Sequence, residues 1–267
     1  MVSEMRLSAL WIYPLKSAAG ISVTEWRLDR CGLEEDRRFM LVGASGRFLS
    51  QRSHPKMALI RPEFVDGLLT FRFTGHNPLT IPRSPTWEGR RKVSVWDDQV
   101  WARTAPPPVS DWFRSVLGES HVTCVWFDPE VERRVDPHYA DPRDRVGFAD
   151  GFPLLLTNEA SLAELNHRLP GPVSMNRFRP NVVVEGHRAF EEDDWDRIDI
   201  GSISFRVSKP CARCQIPNVE QSTGTMGKEP MRTLATFRRI DGEIIFGQNL
   251  VHDNEGTLRV GDPCTPY

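Results

Sequence analysis

The chain has no excess of either charge. In 267 residues, 34 lysines and arginines stand against 36 aspartates and glutamates, a formal charge of −2. A protein that coats nucleic acid carries a basic surplus, so that class is excluded. Long apolar runs are also missing, and nothing approaches the roughly 18 residues of a membrane-spanning helix. Residues 1–4 lead into a short alternating segment without the basic and apolar regions of a signal peptide, so neither export nor membrane attachment is expected. Cysteine is scarce and odd in number: Cys31, Cys124, Cys211, Cys214 and Cys264. Five scattered cysteines make no disulfide framework, and a reducing cytoplasm is expected. No internal repeat or low-complexity tract is visible.

What is present is the composition of an ordinary soluble protein, 39% hydrophobic and 26% charged. With 21 prolines and 19 glycines, many short strands are favoured over a helical bundle. In the first hundred residues apolar positions recur at period two, as at Leu7, Ala9 and Trp11, which marks a series of hairpins. Residues 23–28 are one candidate strand, and 39–42 and 47–50 flank a turn at 43–46. Asp66-Gly67 suits a type I′ turn between 58–65 and 68–73, and Asp97-Asp98 turns between 92–96 and 100–104. Pro106-Pro107-Pro108 reads as a stiff linker, which places a domain boundary there: a β-barrel-like domain over 1–108 and a second domain over 109–267. Ser110 is then the expected N-cap of a short helix that stops at Gly118. Segments 121–127, 153–156 and 181–184 read as strands, 158–169 as an amphipathic helix, and 198–207 and 239–246 as hairpins. Pro230 is expected to open a helix reaching Phe237. Residues 128–150, dense in Pro, Arg and Asp, are too polar for a core and read as a functional or mobile loop. The expected fold class is mainly β with a few helices.

The sharpest local feature is Pro210-Cys211-Ala212-Arg213-Cys214, after a predicted strand. Half of a zinc site would need further ligands at matching spacing, which Cys31, Cys124 and Cys264 do not supply. An iron–sulfur cluster needs four cysteines or a histidine pair. A thioredoxin-like redox pair should open a helix, whereas Gln215-Ile216-Pro217 follows. A single thiolate could hold a soft metal, with Arg213 and Lys209 as nearby cations. The plain alternative is a pair of buried cysteines packed as small hydrophobes. Basic residues also recur beside turns, in Tyr13-Pro14-Leu15-Lys16-Ser17, in Glu35-Asp36-Arg37-Arg38-Phe39 and in Asn176-Arg177-Phe178-Arg179-Pro180-Asn181. Lysine offers phosphate a point charge and arginine a planar fork. Each segment alone fits a solvated strand end; joined with a thiolate, they fit a site for an anionic, phosphate-bearing metal cofactor.

Those three segments, with Cys211-Ala212-Arg213-Cys214 and Phe246-Gly247-Gln248-Asn249-Leu250, occur in the order of the MOSC-domain signature. The chain resembles MOSC-domain proteins over about residues 5–265, in particular the branch with an N-terminal β-barrel domain that includes the amidoxime-reducing components. The resemblance implies an N-terminal MOSC-associated barrel over 1–108 and a MOSC β-barrel domain over 109–267. It implies a molybdenum cofactor, in which a pterin dithiolene chelates the metal and a protein cysteine completes the sulfur ligation. By motif position that metal-binding and catalytic residue is Cys214, with Cys211 a neighbour. Lys16, Ser17, Arg38, Arg179 and Asn181 are then cofactor-binding residues, Ala212 and Arg213 line the metal-side loop, Gly151 and Phe152 close the pocket, and Asn249 joins them from the Phe-Gly-Gln-Asn-Leu segment.

The activity implied is reduction of small N-hydroxylated compounds such as amidoximes and hydroxylamines, independent of pyridoxal phosphate. Some relatives continue into a ferredoxin domain; none is expected here, so electrons would come from a separate donor protein of the ferredoxin or flavoprotein reductase type. Two rival functions are a sulfurtransferase carrying a persulfide on Cys214 and a non-catalytic carrier of the cofactor.

Overall fold

The computed structural model describes residues 4–128 and 130–267. Strands dominate, and the α-helices among the described residues are Pro107–Leu117, Glu159–Arg168 and Met231–Leu234. The strand Leu154–Asn158 is buried along its whole length and Val182–Glu185 over its first three residues. Unbroken apolar runs of this kind belong to strands covered on both faces. These two are a parallel pair, Leu156 opposite Val182 and Asn158 opposite Val184, and Glu159–Arg168 is the crossover between them. Asn158 caps that helix, its side chain accepting from the Ala160 N–H at 2.9 Å.

The pair lies inside the largest sheet. From one edge the order is Ile21–Val23, Arg6–Ile12, Val182–Glu185, Leu154–Asn158, Glu243–His252, Ile203–Ala212, Arg197–Ile200 and Cys264–Pro266. The first strand of the chain is thus hydrogen-bonded into a sheet made mostly by the second half, with Leu10 opposite Val182. Its apolar side chains, including Leu7, Leu10, Leu156, Val184, Phe205 and Leu250, form one core. A second sheet runs Phe39–Val42, Thr123–Trp126, Asp98–Thr104 and Gly89–Val95. A third joins Arg61–Val65, Leu68–Arg72 and Leu79–Pro82, turning at Asp66 and Gly67, both at positive φ as a type I′ turn requires. Phe39, Phe71, Phe113 and Val116 pack between these sheets and the helix Pro107–Leu117.

Several local expectations are corrected. The three prolines are no linker: Pro106 is the N-cap of the helix Pro107–Leu117, and the next two occupy its first turn, where a missing N–H costs nothing. Ser110 lies inside that helix, buried, its hydroxyl accepting from the Cys124 N–H at 3.1 Å. Gly118 does end it, in the left-handed conformation. Residues 23–28 divide between two sheets, Ile21–Val23 in the large one and Glu25–Asp29 paired with Gly256–Arg259. The hairpin expected at Asp97-Asp98 turns one residue earlier, with Trp96 at φ 55° and Asp98 opposite Val95. The helix after Pro230 is a single turn, Met231–Leu234. The polar stretch 128–150 does contribute a small core, in which Val135, Val146 and Ala149 pack with Val251.

Candidate active site

Neighbouring strands of the large sheet align the floor of the site. The Asn181 N–H donates to the Leu155 carbonyl at 2.9 Å, Leu155 is opposite Asn249, and Asn249 is opposite Lys209. Above this row lies a cavity of about 810 Å³ measured out to its open mouth. Its wall includes Lys16, Ser17, Gly151, Phe152, Arg179, Asn181, Ala212, Arg213, Cys214 and Asn249, residues from five separate parts of the chain. The structure therefore brings together every cofactor-site residue expected from sequence except Arg38.

Arg38 points elsewhere. Its guanidinium donates to both carboxylate oxygens of Asp29, at 2.7 and 2.8 Å, and lines a second cavity with Cys31, Glu34, Glu35 and Arg83. The neighbouring Arg37, with φ 47°, reaches the main cavity instead. It donates to Asp36 at 2.6 Å and to the Asn181 side-chain oxygen at 2.9 Å. Asn181 is itself tied to Leu155 N–H at 3.2 Å and Trp11 carbonyl at 3.2 Å, so it acts as the bracket that orients Arg37. Ser17, Arg37 and Arg179 all have positive φ, a costly conformation for residues with side chains, and all three line this one cavity.

The cations are only partly compensated. The Tyr13 ring lies against two guanidiniums, Arg37 at 4.5 Å and Arg179 at 4.3 Å from its centroid. Arg37 has Asp36 as its counter-ion, whereas among the described residues no carboxylate pairs with Arg179. Arg179 is 8% exposed; Nη1 donates to the Ala18 carbonyl, and Nη2 is buried with no partner. Burial, reinforced by nearby Arg37, pulls this guanidinium down to about 10, with Tyr13 and Asp36 opposing. Lys16 donates to the Phe148 carbonyl at 2.8 Å and to Asp150, which leaves its third N–H for a ligand. Burial lowers its ammonium to about 8, and Asp150 opposes the shift.

At the other end of the cavity Cys214 is exposed and Cys211 half-buried. The strand Ile203–Ala212 carries Cys211 itself, one residue beyond Pro210, where the pairing register shifts. Arg213 Nη1 lies 3.0 Å from the Cys211 sulfur, Nη2 donates to the Phe178 carbonyl at 2.6 Å, and Nε is buried without a partner. The cation that sequence placed beside the motif thus serves Cys211, leaving Cys214 open to the cavity. All five cysteines are free.

Among the described residues no cluster of three or more His, Cys, Asp or Glu could hold a metal unaided. A metal at Cys214 would draw its other ligands from a cofactor, and the unpartnered Arg179 and Arg213 nitrogens and the spare Lys16 N–H fit an anionic one. Sequence reasoning missed Arg37, Phe48, Ser50, Arg52 and Asp150, which also line the cavity. Arg37 stood inside the quoted Glu35 to Phe39 segment, but which of two adjacent arginines faces the site depends on backbone conformation; the others carried no local signal.

Comparison with known proteins identifies the family. The model of the MOSC N-terminal beta barrel domain matches residues 4–120, and that of the MOSC domain matches residues 143–265. The chain belongs to the MOSC family. It is 32% identical to human mitochondrial amidoxime-reducing component 1, covering 96% of this chain and 81% of that protein. It is also 32% identical to rat mitochondrial amidoxime reducing component 2, covering 96% and 82%. A rice molybdenum cofactor sulfurase is 32% identical over 92% of this chain but only 32% of its own length. All five segments named from sequence contribute to the cavity wall, together with residues between 48 and 52 and between 149 and 155. Among the described residues no helix of this MOSC protein is long and apolar enough to cross a membrane.

Proposed function

We propose that this protein holds a molybdenum cofactor in the cavity, with Cys214 as its sulfur ligand, and reduces N-hydroxylated compounds such as amidoximes and hydroxylamines. The observation that carries the reading is the pairing of an open thiol with a surplus of incompletely compensated cations in one cavity, on a chain whose relatives are named amidoxime-reducing components. When bound, the cofactor supplies the two-electron chemistry that breaks the N–O bond. Arg37 and Arg179 neutralise its phosphate from the Tyr13 side, Lys16 adds a third donor, and Arg213 fixes the loop that presents Cys214. Asn181 and Asp36 hold Arg37 in place, and Gly151 and Phe152 close the cavity beside Leu154 and Leu155.

The electrons come from a separate donor protein, of the ferredoxin or flavoprotein reductase type. Five free cysteines support a reducing compartment, with the cytoplasm as our assignment. The likeness to a molybdenum cofactor sulfurase favours one alternative, transfer of sulfur carried as a persulfide on Cys214. A non-catalytic carrier of the cofactor would use the same cations.

Protein purified from a host that makes the cofactor tests these readings. Stoichiometric molybdenum with benzamidoxime reduction by an artificial electron donor is the expected result. Cofactor without turnover would leave the carrier, cyanide-labile sulfur without molybdenum would leave the transferase, and absence of molybdenum, turnover and labile sulfur would overturn all three.

A further inference from the structure

Among the described residues, the lysine, arginine and acidic side chains lining the main cavity are Lys16, Arg37, Arg52, Arg179, Arg213 and one acid, Asp150. A carboxylate repels the anionic group that the cations are suited to hold, so its presence calls for a different ligand. Its position is also different. The Lys16 side chain it pairs with is 7% exposed, whereas the Asp150 side chain is 61% exposed, so the carboxylate stands at the mouth.

The backbone that presents it is locked. Buried Arg133 donates to the carbonyls of Gly147 at 2.8 Å, Ala149 at 2.6 Å and Asp150 at 2.8 Å, and its Nε is anchored on Asp98 at 2.8 Å. The Lys16 ammonium then holds the carboxylate itself. Three carbonyls on one guanidinium are a large investment in a loop tip, and they fix the direction of a single exposed anion.

We propose that Asp150 is the substrate-binding carboxylate, which accepts the N–H groups of an amidine-type nitrogen base and turns its N–O group inward toward Cys214. This rests on the reductase reading above. An amidoxime, R–C(NH2)=N–OH, takes two electrons from the donor and two protons; the N–O bond breaks, and R–C(NH2)=NH and water leave. The product is a stronger base than the substrate and takes one further proton to become an amidinium, whose paired N–H groups match a carboxylate. Asp150 therefore selects compounds with an NH2 beside the hydroxylated nitrogen, and it binds the product cation more tightly than the neutral substrate.

The test uses cofactor-loaded enzyme, benzamidoxime as substrate, benzamidine as inhibitor and reduced viologen as donor. Asp150→Asn should raise the benzamidine inhibition constant about tenfold or more and raise the benzamidoxime KM with a smaller change in kcat, and Asp150→Glu should recover part of both. Wild-type inhibition by benzamidine and wild-type KM in a fully loaded Asp150→Asn enzyme would overturn the proposal. Higher cofactor occupancy in that variant, with inhibition unchanged, would also overturn it and make Asp150 a latch on Lys16. Should the native enzyme turn over no amidoxime, the reductase reading fails separately, and calorimetric titration of benzamidine into native and Asp150→Asn protein still decides whether Asp150 binds amidinium.

Discussion

Arg37 and Arg38 are adjacent in sequence and opposite in circumstance. Arg38 meets the carboxylate of Asp29 in a cavity that also holds Arg30, Glu34, Glu35 and Arg83, and the charges there balance. Arg37 faces a cavity in which five cations stand against Asp150, and where Arg179 has no acidic partner among the described residues. Cations in a cavity whose charges balance are scaffold, because their desolvation is already offset. A surplus of cations in a cavity is an unmet electrostatic demand, and it marks where an anion belongs.

The comparison can be broken at several points. The largest effect is expected at the thiol end of the cation-rich cavity: Cys214→Ser should lower reductase turnover at least about 100-fold while leaving the melting temperature near that of the native protein, and Cys211→Ser should be much milder. Equal losses in both would remove the distinction between ligand and neighbour.

Next is Arg179→Met, which should lower pterin content about tenfold yet raise the melting temperature of the cofactor-free protein, since a buried unpaired charge is replaced by an apolar chain. A lowered melting temperature would show that Arg179 is compensated after all. Lys16 gives a pH signature. Its folded value of about 8 lies below the ordinary 10.5, so between these limits the unfolded chain binds more protons and the stability of cofactor-free protein rises with pH. Over the same window the ammonium is lost and affinity for inorganic phosphate falls. Calorimetry of Lys16→Met should show neither trend. The smallest effect is on the balanced side, where Arg38→Ala should cost about 1 kcal/mol of unfolding free energy by removing the ion-pair partner of Asp29, which keeps the Cys31 N–H, with little change in pterin content.

Much of this was legible before any coordinates. Period-two runs and the Asp66-Gly67 turn located most strands, because those signals depend on neighbours in sequence. The convergence of the MOSC segments was legible only through the family resemblance that their order carries. What sequence did not show depends on three-dimensional pairing. The sheet membership of Arg6–Ile12 is set by contact with Val182–Glu185, far along the chain. The choice between Arg37 and Arg38 rests on one left-handed backbone angle and on the Asn181 bracket. Asp150 lies in a stretch crowded with acids and arginines, and only Arg133 and Lys16 distinguish it from them.

The account stands on the claim that the cavity in which cations outnumber acids is the cofactor site. Pterin released on oxidation, measured per chain for Arg37→Ala and Arg38→Ala purified in parallel, tests it most directly. The prediction is about tenfold less pterin in Arg37→Ala and native content in Arg38→Ala. Loss in Arg38→Ala with retention in Arg37→Ala would contradict it.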